Sequence, residues 1–415
     1  MNLLPARCPL PLDTVVHSDA LTFLRGLPSN TVNCIVTSPP YFGLRNYGMA
    51  GQLGLERTPQ EFVANLVELF REARRVLRDD GTCWVNLGDS YANDEKWGGS
   101  TGGKHANGLH GDTGIGRAKR ETGKAPKNLM GIPWRVAFGL QDDGWILRSE
   151  IIWHKSNPMP ESCKDRPTKA HEQVFLLAKN ERYWYDADAI REPHTEATLE
   201  RVKHGGRAYG HVDHQDNSGM VASGAWGKTA IDGNQTRILD ARGRNKRTVW
   251  TIATEPTPFA HFATFPQKLI EPMILAGCPH KVCVVCGAPW VRQVERGEMI
   301  YRDSGHMKPV DRVKIDDTDF DAWSRPNGLG ATQIPNAFYE RIDKGFAPTC
   351  THNAATRPGI VLDMFMGSGT TGLVARRLGR HYMGSELNAE YVALCRKRLS
   401  VPFTIPMFET LAVTA

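Results

Sequence analysis

Three groups of residues have the types and spacing to do chemistry. The first is Thr37-Ser38-Pro39-Pro40-Tyr41, which closes the β-rich run TVNCIV. Two prolines cannot continue a central strand, so the chain must leave the sheet at Ser38. Carbonyls there point outward without a ladder partner and suit an amino donor, while the aromatic face suits a planar base. A Pro-rich turn with a core tyrosine is the plainer reading of the same residues. The second group is GIVLDMF followed by Gly367-Ser368-Gly369-Thr370-Thr371-Gly372, with Glu386 lying 19 residues beyond Gly367. This is the G-x-G-x-x-G pattern of a nucleoside site. Glycines admit the ligand to the backbone, a helix N-terminus attracts an anion, and the acid grips a ribose diol. A ligand-free strand–helix turn fits the pattern too. Asp363 would repel a pyrophosphate but attract the ammonium of an amino acid. A cofactor with both a ribose and an amino-acid tail is S-adenosylmethionine.

The third group is Cys283-Val-Val-Cys286-Gly287, half of a zinc knuckle. The glycine lets backbone N–H groups turn toward the thiolates. Cys350 and His352 would complete a tetrahedral Cys₃His site, with Cys278 and His280 as reserve ligands. A redox pair or free thiols are the alternatives, and Pro289 disfavours a thioredoxin-like helix start.

These groups need elements to position them. Leu21, Leu24 and Leu27 give a short helical face before the strand that ends at Ser38. Residues 59–79 read as an amphipathic helix with Pro59 in its first turn, and Phe62, Leu66, Phe70, Ala73 and Leu77 recur at helical spacing. Asp80-Gly81 should end it, and TCWVNLG should follow as a strand. Strand, helix and strand make a βαβ unit and hence a parallel sheet. A helix is expected at MGIPWRVAFGLQDDGW, strands at WILRSEIIWHK and HEQVFLLAK, and a helix at FPQKLIEPMILAG. A buried strand, Gly-rich turn and helix cover PGIVLDMFMGSGTTGLVARRLG, with HYMGSEL a strand and NAEYVALCRKRL a helix. Residues 94–128 are rich in Gly, Lys and Arg and read as a mobile loop.

Composition bounds the class. The 415 residues are 40% hydrophobic and 23% charged, which excludes a disordered tail or a fibre. No apolar run is long enough to span a bilayer, and the N-terminus lacks a secretory pattern. A cytoplasmic protein of prokaryotic or phage-encoded type is therefore expected. The net charge of +6 suits a polyanionic partner. Nine cysteines suggest reduced thiols or metal ligands rather than a disulfide framework. A buried position is expected for Cys34, in its apolar strand.

Taken together, TSPPY and DMFMGSGTTG resemble the permuted, β-class amino-methylating DNA methyltransferases, in which the catalytic motif precedes the cofactor motif. HSDALTFLRGLP, IIWHKSNPMPES, DRPTKAHEQVFLLAKN, YWYDADAI, RNKRTVW and HFATFPQKLIEPMI are similar to further stretches of that family. The resemblance implies a Rossmann-like, doubly wound α/β fold with a mostly parallel sheet and one antiparallel strand. It implies S-adenosylmethionine as cofactor, with Asp19 near its adenine, Phe265 and Pro266 near its methionine part, and Asp363, Phe365, Gly367, Gly369, Thr370 and Glu386 around it. Ser38 and the Pro39 carbonyl would accept the two N–H groups of a flipped base, beside Pro40, and Tyr41 would stack on it. Ser38 at the head of the tetrapeptide leans toward cytosine-N4, with adenine-N6 the runner-up. Structural zinc would be an addition to the family plan.

The implied organisation is a catalytic half at 1–190, a target-recognition region at 191–250, a cofactor half at 251–277 and 353–403, and a Cys-bracketed, zinc-ribbon-like insert at 278–352. The Glu386 and Asp19 units should be neighbours in space. Double-stranded DNA is the expected partner, with a cognate restriction nuclease as a further one. Lys104, Arg117, Lys119, Arg120 and Lys124 in the loop, and Arg242, Arg244, Lys246 and Arg247, are candidates for phosphate contacts. A charge run is otherwise a solvated face. A nicotinamide enzyme would leave Pro39-Pro40 unexplained, RNA or protein-amide methylation fits the motif order less well, and a non-catalytic zinc-containing DNA-binding protein is the distant alternative.

Overall fold

The computed structural model describes residues 10–43, 49, 51–92, 122–158, 160–198, 243–255, 265–301 and 337–400. The side chains of 296–301 and 337–341 are not among what is described. By contacts the chain divides into two compact units. One contains residues 1–190, 247–291 and 346–415, and the other contains 191–246 and 292–345. The catalytic and cofactor halves expected from the sequence therefore share one unit. Cys283, Cys286, Cys350 and His352 belong to that unit as well.

The first unit is built on an eight-stranded sheet. In chain order its strands are β1 (Thr14–His17), β2 (Val32–Thr37), β3 (Leu77–Leu87), β4 (Ile146–His154), β5 (His171–Ala178), β6 (Val249–Thr251), β11 (Ile360–Asp363) and β12 (His381–Glu386). Between β6 and β11 come β7 (Val282–Cys283), β8 (Trp290–Tyr301), β9 (Ala337–Pro348) and β10 (Thr356–Arg357), which form two separate two-stranded pairs, β7 with β10 and β8 with β9. The spatial order in the large sheet is β1-β12-β11-β2-β3-β5-β4-β6. Within this sheet, among the described residues, only β5 runs antiparallel to its neighbours β3 and β4; its other pairings are parallel.

Among the described residues six helices flank the sheet: α1 (Ala20–Arg25), α2 (Pro59–Val76), α3 (Ile132–Asp142), α4 (Gln267–Gly277), α5 (Thr370–Arg377) and α6 (Ala389–Ser400). Alternation along the buried strands sends side chains to both faces. Ile35, Val85, Phe175 and Leu362 pack with α1, α2 and α3, whereas Cys34, Trp84, Val174 and Val361 pack with α4, α5 and α6. Continuous apolar strands covered on two sides are the mark of a doubly wound α/β sandwich. Cys34 is fully buried, and burial pushes its thiol well above the ordinary range.

Helix α2 starts as the sequence suggests. Thr58 and Glu61 form a reciprocal capping box, and Pro59 occupies the first turn. Its end is different. The helix stops at Val76, and β3 begins at Leu77 instead of after Asp80-Gly81. Gly81 lies inside the strand, where a Cβ would collide with Leu77 and the Asn33 carbonyl. The glycine is there for close approach and not as a helix stop. The short strand β1 was not expected either. It pairs with β12, setting His17 opposite Glu386, which brings the N-terminal and C-terminal segments together as the permuted order requires.

Among the described residues no helix is long and apolar enough to cross a membrane. In the second unit, Glu192 and Arg244 form an antiparallel bridge, and Glu192 also meets Lys246 at 3.4 Å.

Candidate active site

Strands β11 and β2 are parallel neighbours, with Val361 opposite Cys34. From β11 the chain winds outward one way to β12, and from β2 the other way to β3. Their carboxyl ends therefore flank a topological switch point, where open α/β sheets place their ligands. TSPPY leaves the end of β2 and MFMGSG leaves the end of β11. Between them opens a cavity of about 930 Å³, lined by Asp19, Ser38, Pro39, Pro40 and Tyr41 and by Phe265, Phe365, Gly367, Thr370 and Glu386 among others. This volume is at the upper end of the range for ligand sites.

On the β11 side, Glu386 closes the Gly-rich turn. Its Oε2 accepts from the Gly367 N–H at 2.9 Å and its Oε1 from the Asn388 N–H at 2.8 Å. Burial raises its carboxyl above the ordinary range despite those bonds. Gly367 and Gly369 have φ of +53° and +84°, and a Cβ on Gly369 would strike Cys395 Sγ. Asp19 caps α1, its Oδ1 accepting from the Thr22 N–H at 2.9 Å. Burial works to raise its carboxyl, but the bonds from Thr22 and Leu21 hold it below the ordinary range.

Asp363 departs from expectation. It is 1% exposed and does not line the cavity. Its Oδ1 accepts from Thr37 Oγ1 at 2.7 Å and from the Phe365 N–H, and its Oδ2 from Thr371 Oγ1 at 2.6 Å. Three of its acceptor positions are therefore taken up within the protein. It braces the last residue of β2 against the Gly-rich turn and the start of α5. Burial pushes its carboxyl up to about 6, against the pull of the two hydroxyls and the N–H. Pro266 and Gly369, the N-caps of α4 and α5, are likewise not among the residues that line the cavity.

On the β2 side, the Tyr41 ring rests on Gly88, where any Cβ would run into it. Its hydroxyl donates to Glu172 Oε2 at 2.6 Å and accepts from Asn86 Nδ2 at 2.8 Å. Asn86 also donates to Glu172 at 2.9 Å, and Lys155 Nζ reaches Glu172 Oε1 at 2.5 Å. Burial opposes the charge on Glu172, but Lys155 and the donors from Tyr41 and Asn86 prevail and lower its pKa. Lys155 also lies 4.6 Å from the centre of the Trp153 ring. Lys169 lines the same wall, its ammonium pKa lowered by burial. No local sequence pattern marks Glu172, Asn86, Lys155, Lys169 or Gly88. WHK and HEQ were legible as strand ends, and their pairing, His154 opposite His171, is what places Lys155 beside Glu172.

Of the basic candidates, Lys104, Arg117, Lys119, Arg120 and Arg242 lie outside the described residues. Lys124 is exposed. Arg244 and Lys246 pair with Glu192, so neither is a bare cation. Arg247 gives its carbonyl to the Trp250 indole at 2.7 Å. Cys283, Cys286, Cys350 and His352 come together with ligand atoms within 4.8 Å of one another, whereas Cys278 is buried in the core and His280 meets the Phe346 ring edge-on.

A family model described as DNA methylase matches residues 32–285 and 309–397. The type II methyltransferase M.Cfr9I of Citrobacter freundii is 36% identical over 396 residues, which cover 94% of this chain and 89% of that protein. M.SmaI of Serratia marcescens is 33% identical over 385 residues, covering 93% and 90%. Among solved structures, the PvuII DNA methyltransferase (cytosine-N4-specific) aligns over 94% of this chain and 89% of its own with 15% identity and a TM-score of 0.47.

Proposed function

The chain belongs to the N6/N4 family of DNA methylases, and on that premise we propose that it transfers a methyl group from S-adenosylmethionine to cytosine N4 in a specific double-stranded site. The observation that carries this reading is the meeting of TSPPY and the Gly367–Glu386 turn at the carboxyl ends of adjacent parallel strands, in one cavity.

The residues on the β11 side fit the cofactor. Glu386 and Asp19 are acids at the rim with no Lys or Arg ion pair among the described residues. Such a set suits a ribose diol and a ligand that brings positive charge. Bound there, S-adenosylmethionine supplies an electrophilic methyl on a sulfonium. The remaining work belongs to the chain. The base has to leave the duplex, at a cost of a few kcal/mol. Its amino lone pair is conjugated with the ring and is a poor nucleophile. Ser38 Oγ and the Pro39 carbonyl accept the two N–H bonds, turn the lone pair out of the ring plane and stabilise the positive charge that grows on nitrogen. Tyr41 offers its ring to the base, and Gly88, Asn86 and Glu172 hold that ring in place. Asp363 fixes Thr37, and so the start of the tetrapeptide, against the cofactor turn. Bringing the two reactants together in this way converts a bimolecular step into an intramolecular one.

Ser38 at the head of the tetrapeptide supports cytosine over adenine. A type II relationship supports a cognate nuclease of the same specificity as partner. The test is mass spectrometry of nucleosides from DNA incubated with the protein and cofactor. N4-methylcytosine is expected, N6-methyladenine would move the target to the runner-up base, and neither product would overturn the reading.

A further inference from the structure

We infer that Cys283, Cys286, Cys350 and His352 bind one structural zinc ion. Their ligand atoms lie within 4.8 Å of one another. Tetrahedral zinc with Zn–S bonds of about 2.3 Å spaces its ligands about 3.8 Å apart, so a small contraction closes the site. Three sulfurs and one imidazole are the donor set that favours zinc over hard cations, and four protein ligands leave no open position for chemistry.

The local backbone is shaped for thiolates. Cys283 closes β7, and Gly287 follows Cys286 with φ +70°. Its N–H turns back to the Cys283 carbonyl at 2.8 Å, in a knuckle. A redox pair needs neither a third thiol nor a histidine, and it sits at a helix start, whereas Cys283 ends a strand and enters a turn.

The ligands come in twos from separate passes of the chain. Cys283 and Cys286 precede residues 292–345, and Cys350 and His352 follow them. Beyond the cluster the two passes share a short ladder, with Cys283 opposite Thr356, and bonds from Thr349 Oγ1 to the Pro289 carbonyl and from the Val284 N–H to the Ala355 carbonyl. The knuckle is seated on β3 through Arg78, which donates to the Cys286 carbonyl and packs against Gly287. The ion therefore holds together the two passes of the chain that flank residues 292–345. So short a ladder needs such a staple, because metal binding adds directly to folding free energy.

The test uses the full chain, purified reduced and without chelator. Elemental analysis should find about one zinc per chain. Cys286→Ser and Cys350→Ser should lose most of it, and Cys163→Ser, outside the cluster, should retain it. After chelation, Co²⁺ added to the reduced protein should give thiolate-to-cobalt charge transfer and the intense visible bands of a tetrahedral site. His352→Cys should keep the metal with a shifted spectrum, which guards against a serine variant that simply fails to fold. Zinc-free protein that gives no tetrahedral Co²⁺ spectrum would overturn the inference, as would a Cys283–Cys286 disulfide as the resting state. Methylation is not a readout here, so failure of the proposed activity would leave this result standing.

Discussion

The two walls of the cleft handle charge in opposite ways. On the β11 wall, Glu386 and Asp19 are held by backbone N–H groups, and no Lys or Arg pairs with either among the described residues. On the β2 wall, Glu172 is neutralised by Lys155 at 2.5 Å and tied to Tyr41 and Asn86. On the proposed reading the first wall meets a cation and the second a neutral base. Uncompensated carboxylates attract a sulfonium, while the same charge facing a neutral heterocycle would only add a desolvation cost. The contrast suggests that each wall is matched to the charge of what it receives.

The sharpest way to break this division is to cross it. Ser38→Ala should lower kcat by about 10²-fold or more, as for loss of one group that stabilises transition-state charge, and leave cofactor affinity intact in calorimetry. A parallel loss of cofactor binding would mean the walls are not separate. Glu386→Gln should weaken S-adenosylmethionine about 10- to 100-fold, the worth of one hydrogen bond to a charged group. The same change should weaken the uncharged thioether product S-adenosylhomocysteine less. Equal losses would show that the acid serves the ribose alone.

On the opposite wall, Lys155→Met strands the Glu172 charge. Urea unfolding should report a loss of up to about 3 kcal/mol, the low end for a broken buried pair because both side chains keep some solvent. Lys155→Met with Glu172→Gln should recover most of it, and no recovery would mean that the packing of Lys155 on Trp153 matters more than charge. Tyr41→Phe keeps the stacking ring but cuts its tie to Glu172 and Asn86. It should reduce kcat/KM for DNA by less than about 10-fold, whereas Tyr41→Ala forfeits stacking worth about 1–3 kcal/mol.

The mildest signature lies beneath both walls. Asp363 keeps its proton up to about 6 in the folded chain, against 3.8 ordinarily. Between those values the native state holds a proton that the unfolded state has released, so this group's contribution to stability falls as pH rises through the window. Asp363→Asn should flatten that part of the stability–pH curve relative to wild type. An unchanged slope would show that the acid is charged throughout.

Local patterns carried much of this molecule. Two prolines ending an apolar run located the loop that leaves β2 for the cavity, because proline cannot donate to a ladder. Glycines between a buried strand and a helix located the turn between β11 and α5, and the 19-residue step to Glu386 survives as a direct bond to the Gly367 N–H. The same local logic failed at Gly81, where the neighbour that demands a glycine, Asn33, lies on another strand. Asp363 likewise depends on a distant contact. Its position at a strand end suggests a ligand, but Thr37, 326 residues away in sequence, claims the oxygen.

What the sequence determined by itself was chemistry dictated by neighbours along the chain: the motif residues, the helix starts, the parallel sheet and the cysteine knuckle. What only the tertiary structure decided was which polar groups satisfy one another across strands. Tyr41 finds Glu172 at a separation of 131 residues and Asn86 at 45, because β2, β3 and β5 lie side by side. Buried acids must find donors wherever the fold brings them, and one-dimensional spacing does not encode that choice.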